Sequence, residues 1–287
     1  MKSRFLAAIL VTAFAAGSGP VMANPGDNLG VVNVPYPHPA GSLGVSVAVN
    51  CDRVIYYTNY QDPHLYKTDR TGAALGVLPL TDAASGGALT LGEMSWDNTI
   101  GKFWAGTDSG LPQRVYTVDP ATGVCAYQFS TPEAGGFDLT DGLGYDAGDN
   151  TIWYSPDVSS SIFHYTPGGA YLGSVTPIDA SGNPLGSISG VTVGLGNTLY
   201  IGRNGLGQIV RVDKSSGAFL SAFASPGGRD EGLECDQFSF FPKWVLWSKD
   251  AYNNTITAIE VDPSTCGCGG VVPATPTTWG HMKGMYR

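Results

Sequence analysis

One feature constrains the fold of this chain more than any other: five segments share a single plan. Each has a short strand opening near Gly, an aromatic-rich second strand, a polar loop, a third strand and a turn ending in Gly. Clear copies are Met94-Ser95-Trp96-Asp97 with Lys102-Phe103-Trp104, Gly142-Leu143-Gly144-Tyr145-Asp146 with Ile152-Trp153-Tyr154, and Gly190-Val191-Thr192-Val193 with Leu199-Tyr200-Ile201. Taking Gly44, Glu93, Gly142, Gly190 and Gly232 as equivalent gives spacings of 49, 49, 48 and 42 residues. Four short strands with their turns fit a propeller blade of roughly 40–50 residues. The second strands are apolar on both faces, as a sheet packed between two neighbouring sheets requires.

Composition removes the alternatives. A helical solenoid needs a 3.6-residue apolar period, and 40 Gly and 19 Pro are too dense for one. Charged residues at 14% exclude a coiled coil and a charge-rich disordered chain. A β-sandwich does not explain a self-similar period. The expected fold is an all-β propeller of five blades in one domain over 44–287, including a C-terminal tail. Six blades, the last built from both termini, is the alternative. An outer strand from Gly30-Val31-Val32-Asn33-Val34, within the N-terminal segment 24–43, or from Gly270-Val271-Val272 would close the ring. Such closure removes an open sheet edge that otherwise invites aggregation.

The N-terminus predicts an address. Lys2 and Arg4 precede an apolar stretch from Phe5 to Gly17, and Val21-Met22-Ala23 suits cleavage after Ala23. That stretch is shorter than the roughly 20 residues a membrane span needs, so a signal peptide over 1–23 is expected rather than an anchor. The mature protein would be secreted or periplasmic. All five cysteines lie beyond the cleavage point, where disulfides are permitted. Cys235 is expected to bridge to Cys266 or Cys268 within blade five. Cys51 would staple blade one to blade five, leaving Cys125 unpaired. With 15 Lys and Arg against 24 Asp and Glu, the chain lacks the positive charge a nucleic-acid partner demands.

Three short motifs carry a resemblance. Asp141-Gly142-Leu143-Gly144-Tyr145-Asp146 and Glu231-Gly232-Leu233-Glu234-Cys235-Asp236 resemble the (D/E)-G-L-x-x-D blade openings of the NHL/SMP-30/streptogramin-lyase-like propeller superfamily. The Asp250-x-x-x-Asn254 loop before Ile256 is similar to a loop of NHL-type blades. The tail from Thr278 to Arg287 is similar to a T-W-G-x-x-K-x-x-Y-R tail on secreted bacterial proteins. In SMP-30-like lactonases, a ring of acidic and amide side chains holds a divalent cation, often calcium. The resemblance implies Asp141 and Glu231, with Glu93 offset by one residue, as the corresponding metal ligands here. Oxygen-only ligands suit such a hard cation.

The blade alignment itself sends Asp141, Ser189 and Glu231 to the channel mouth, because each precedes the equivalent Gly of its blade. Blade one offers only Leu43 there. Arg203 places a cation on the same face, within reach of Asp157, Asp250 or a ligand carboxylate. Asp62, Asp108, Asp157 and Asp250 recur in the polar loops, where an Asp commonly caps its own turn. The histidines form no visible cluster, and His164 aligns with Lys67, Thr117 and Arg211 in a row expected to face solvent. No Gly-x-Ser-x-Gly nucleophile motif occurs. Two functions remain open. One is a binding or scaffold propeller recognising a small molecule, glycan or protein. The other is a divalent-cation-dependent lactone or ester hydrolase.

Overall fold

The computed structural model describes residues 24–135 and 139–268. The leader expected over 1–23, the Gly270-Val271-Val272 strand and the C-terminal tail lie outside the described residues. Strand β1 (Asn28–Asn33) precedes the repeats. Blade one comprises β2 (Gly44–Val49), β3 (Ile55–Asn59), β4 (His64–Thr68) and β5 (Ala74–Pro79). Blade two comprises β6 (Thr81–Asp82), β7 (Leu91–Asp97), β8 (Lys102–Thr107), β9 (Arg114–Val118) and β10 (Val124–Ser130). Blade three holds β11 (Thr140–Asp146), β12 (Thr151–Pro156), β13 (Ile162–Tyr165) and β14 (Tyr171–Val175). Blade four holds β15 (Ile188–Gly194), β16 (Thr198–Arg203), β17 (Gln208–Asp213) and β18 (Phe219–Ala224). Blade five holds β19 (Asp230–Asp236), β20 (Trp244–Asp250) and β21 (Thr255–Val261).

The sheet order of blade five is β1-β21-β20-β19, so the N-terminal strand is its outer strand. β1 runs antiparallel to β21, with Val31 opposite Thr257 and Asn33 opposite Thr255. The ring therefore closes at five blades, and the sixth has no strands among the described residues. The inner strands β2, β7, β11, β15 and β19 line the centre, each contacting its neighbours around the ring.

Cores form between the blades, which explains the two-faced apolar second strands. Tyr56 of blade one packs on Phe103 of blade two with ring centroids 4.8 Å apart, and Phe103 packs on Trp96 at 5.1 Å. Tyr57, on the opposite face of β3, belongs to the cluster with Val245 and Trp247 of blade five. Burying each such side chain is worth about 1.5–3 kcal/mol. Both expected bridges are present, and the structure settles the choice left open between Cys266 and Cys268: Cys51 pairs with Cys268 and Cys235 with Cys266, while Cys125 is free and buried. Residues 265–268 run beneath blades four, five and one, because Leu195 also donates its N–H to the Thr265 carbonyl at 2.9 Å. Two disulfides fit an oxidising compartment. No helix among the described residues is long and apolar enough to cross a membrane.

The pairing register corrects one alignment. In every inner strand a β-bulge sits near the channel mouth, between Thr140 and Gly142 in blade three and between Asp230 and Gly232 in blade five. In blade one the same shift falls between Gly44 and Ser46. Ser46, not Gly44, is thus the counterpart of Gly142. The residue before it is Val45 rather than the expected Leu43. A sequence alignment on Gly alone slips by two here, because blade one keeps a Gly at the strand start.

Candidate functional site at the channel mouth

A bulge places two residues on one strand opposite one on its partner and re-aims the extra side chain. The bulge residues are Val45, Gly92, Asp141, Ser189 and Glu231, one from each blade. Two of the five are acids, and both are buried. What they meet is a residue the blade alignment did not single out. Arg229, in the loop entering blade five, projects its guanidinium between them. Its Nη2 lies 3.4 Å from Asp141 Oδ2 and 3.3 Å from Asp157 Oδ1, and its Nε pairs with Glu231 Oε1. The loop is tied down on both sides. Gly228 N–H donates to Asp250 Oδ2 at 3.0 Å, and Ala251 N–H donates to the Arg229 carbonyl at 2.9 Å.

The electrostatics are those of crowded carboxyls in a poorly solvated place. Burial, then the charges of Glu231 and Asp157, push Asp141 well above the usual carboxylate range, with Arg229 pulling the other way. Burial raises Glu231 as well, again opposed by Arg229. Glu93 is one position past its bulge, fully buried, and neither carboxyl oxygen has a well-formed hydrogen bond. Burial, followed by the charge of Glu234, holds its carboxyl well above the ordinary value. Glu234 accepts the N–H groups of Trp96 at 3.1 Å and Cys235 at 3.2 Å, and burial still pushes it up to about 8. The channel is acidic along its length, and Arg229 is the cation at its entrance.

The remaining sequence candidates fall elsewhere or stay unpaired. Ser189 Oγ and Asp141 Oδ1 are buried without hydrogen-bond partners. Arg203 turns away from Asp157 and Asp250. It donates to Gln208 Oε1 at 3.1 Å and to the Leu185 carbonyl at 3.0 Å. Asp250 caps its own loop through the N–H groups of Tyr252 at 2.7 Å and Asn253 at 3.2 Å. Asp108 accepts the Gln61 N–H of the preceding blade at 2.6 Å, and Asp62 accepts the Tyr66 hydroxyl at 2.5 Å. Of the recurring loop acids, Asp157 alone joins the mouth cluster. The signal for Arg229 was present: it is the only Lys or Arg in the loops that enter the five inner strands.

A divalent cation does not fit this arrangement. The guanidinium of Arg229 already lies between Asp141 and Glu231, and Glu93 is out of register with them. Among the described residues no group of three or more His, Cys, Asp or Glu side chains is placed to hold a metal ion.

The comparisons with known proteins agree on architecture. No family model matches the chain, and no curated protein sequence does. Among solved structures it is similar to a glutaminyl cyclase from Myxococcus xanthus, at 12% identity and a TM-score of 0.57, over 83% of this chain and 100% of that one. It is similar to a luciferin-regenerating enzyme at 12% identity and a TM-score of 0.54, covering 85% and 96%. Regucalcin from Agrobacterium tumefaciens, described as a calcium-binding protein, aligns at 12% identity and a TM-score of 0.52, covering 84% and 95%. At this identity the likeness is one of fold. It agrees with the propeller architecture expected from the blade repeat.

Proposed function

We propose that this chain is an extracytoplasmic binding propeller whose channel mouth takes a ligand bearing a cationic or donor-rich group, such as an amine. The observation that carries the reading is the imbalance at the mouth. Three carboxylates, on Asp141, Asp157 and Glu231, face the single guanidinium of Arg229. Asp141 Oδ1 and Ser189 Oγ stand ready as unpartnered buried acceptors. A buried polar group without a partner costs free energy, and a donor that satisfies it gains that cost back. The two disulfides and the leader expected over 1–23 support a place outside the cytoplasm.

The competing reading is a divalent-cation-dependent lactone or ester hydrolase. Regucalcin's description as a calcium-binding protein favours it, and the position of Arg229 opposes it. Thermal melts of the mature protein separate the two. We expect spermidine to raise the melting temperature in EDTA, and Asp141→Asn to abolish that rise. Calcium, magnesium, manganese and zinc should leave the wild type unchanged. A ligand at about a hundredfold its Kd stabilises by about 2.7 kcal/mol, which a melt resolves. Stabilisation by a metal and not by the polyamine, with hydrolysis of a lactone that EDTA abolishes, would reverse the conclusion.

A further inference from the structure

Far from the mouth, blade three breaks a pairing that two other blades keep. Asp97 Oδ2 accepts the indole N–H of Trp104 at 3.0 Å, and Asp236 Oδ2 accepts that of Trp247 at 2.9 Å. Blade three has the same residues at the same register, with Asp146 opposite Thr151 and Trp153 two residues further on. There Lys214, from the turn after β17 of blade four, binds Asp146 Oδ2 and also Asp149 Oδ2 at 2.9 Å. The Trp153 Nε1 is left buried with no hydrogen-bond partner. Beside it, the His164 imidazole stacks on the indole with centroids 4.0 Å apart and planes at 13°. Its Nε2 is also buried and unpartnered.

Both rings line a cleft of about 330 Å³ between blades three and four, together with Asp149, Asn197, Lys214 and Ser215. The cleft exists because the third strand does not bridge the gap here. At the position of His164, blade one carries Lys67, which reaches the Pro120 carbonyl of blade two at 3.0 Å. Blade four carries Arg211, which pairs with Asp262 of blade five at 2.9 Å. An imidazole is too short for such a span. Opposite His164 on β14 is Gly173, where a Cβ would meet nothing within 4 Å. The solvent-facing row expected from sequence is, in blade three, a half-buried aromatic stack beside open space.

We propose that this cleft binds a saccharide ring. The indole N–H needs an acceptor, and Nε2 of a neutral imidazole takes a donor or an acceptor according to its tautomer. A hydroxyl is donor and acceptor at once and answers either tautomer. Burial lowers the His164 pKa, which keeps the ring neutral near pH 7. An anion would find Lys214 already shared between two carboxylates, and a cation would meet the indole N–H. A neutral polyhydroxylated ring suits the alternation of Asp149, Asn197, Ser215 and Lys214 around the stack.

The test is calorimetric titration of the mature protein with the methyl glycosides of glucose, galactose, mannose and N-acetylglucosamine. At least one should bind. His164→Phe keeps a ring and removes Nε2, and His164→Ala removes both. Each should weaken binding by roughly tenfold or more, whereas Asp141→Asn at the mouth should not. The wild type carries an independent readout, since the His164 imidazole proton resonance should shift on adding the glycoside. No binding by any of the four, binding indifferent to both His164 variants, or an unmoved His164 resonance would each overturn the assignment. Loss of binding in Asp141→Asn would move the sugar to the mouth.

Discussion

A Cβ built on Gly142 would lie 2.6 Å from Cγ2 of Val191, in the inner strand of the next blade. The blade-opening glycine is therefore a packing requirement, because β11 and β15 approach too closely there for any side chain. Gly232 repeats the relationship, its Cβ falling 2.7 Å from the Ser46 carbonyl carbon. Gly142→Ala should lower stability by about 1–3 kcal/mol, the usual cost of overpacking. The denaturant midpoint should fall with an unchanged slope; an unaltered midpoint would show that the blades move apart at no cost.

Stability should decline as pH rises through neutrality, and Glu234 is one reason. Its ordinary value is about 4.3, and burial pushes it up to about 8 in the folded protein. The folded state thus holds the proton more tightly than the unfolded state. That stabilisation is complete below about pH 4, decreases as pH rises, and is gone above about pH 8. Glu234→Gln removes this titration, so its curve of unfolding free energy against pH should be flatter between about pH 5 and 8 by a few kcal/mol. Parallel curves for variant and wild type would exclude Glu234 as a source.

Arg229→Met should strand Asp141 and Glu231 without their counter-charge. Breaking a buried pair by removing one partner costs about 3–5 kcal/mol. Both carboxyls are raised by burial, so protonation relieves the variant at low pH. Its deficit should be smaller at about pH 5 than at about pH 8. Melts at the two pH values measure this directly. An equal deficit at both would mean that Arg229 acts by packing rather than by charge.

Thiol chemistry should report one protected cysteine. Burial pushes the Cys125 thiol up to about 12, so it is neutral and hidden near pH 7. Ellman's reagent should find no reactive thiol in the native protein and one in guanidinium. Replacing Cys51 and Cys268 together with Ser should cost about 2–5 kcal/mol, since that bridge ties residues 217 apart. A native thiol count of one, or a double variant that melts with the wild type, would contradict the arrangement.

Much of the fold was legible because blades repeat. Phe103-Trp104 and Trp153-Tyr154 announce strands buried on both faces, and the spacing of Gly142, Gly190 and Gly232 sets the blade length. A bridge from Cys51 to blade five followed from blade order, since a closed ring makes the first and last blades neighbours, and the structure chose Cys268 as its partner. The mouth was half legible. Asp141, Ser189 and Glu231 share a bulge position, which local sequence marks by the Gly that follows. The charge of Arg229 stands out among the blade-entry loops, but its role was not legible, because it depends on a loop folding back over the channel toward Asp157, 72 residues away.

The sequence by itself determined the strand pattern, the blade length, the free cysteine and the acids at the blade entries. Each of these depends on period and local chemistry. Only the tertiary structure decided which groups meet. Asp97 bonds Trp104 within its own hairpin, yet the same pair in blade three is opened because Lys214 arrives from the next blade and takes Asp146. No periodicity within one blade encodes what a neighbouring blade presents. The contacts that build the channel mouth and the interblade cleft arise between repeats, where long-range packing sets the distances.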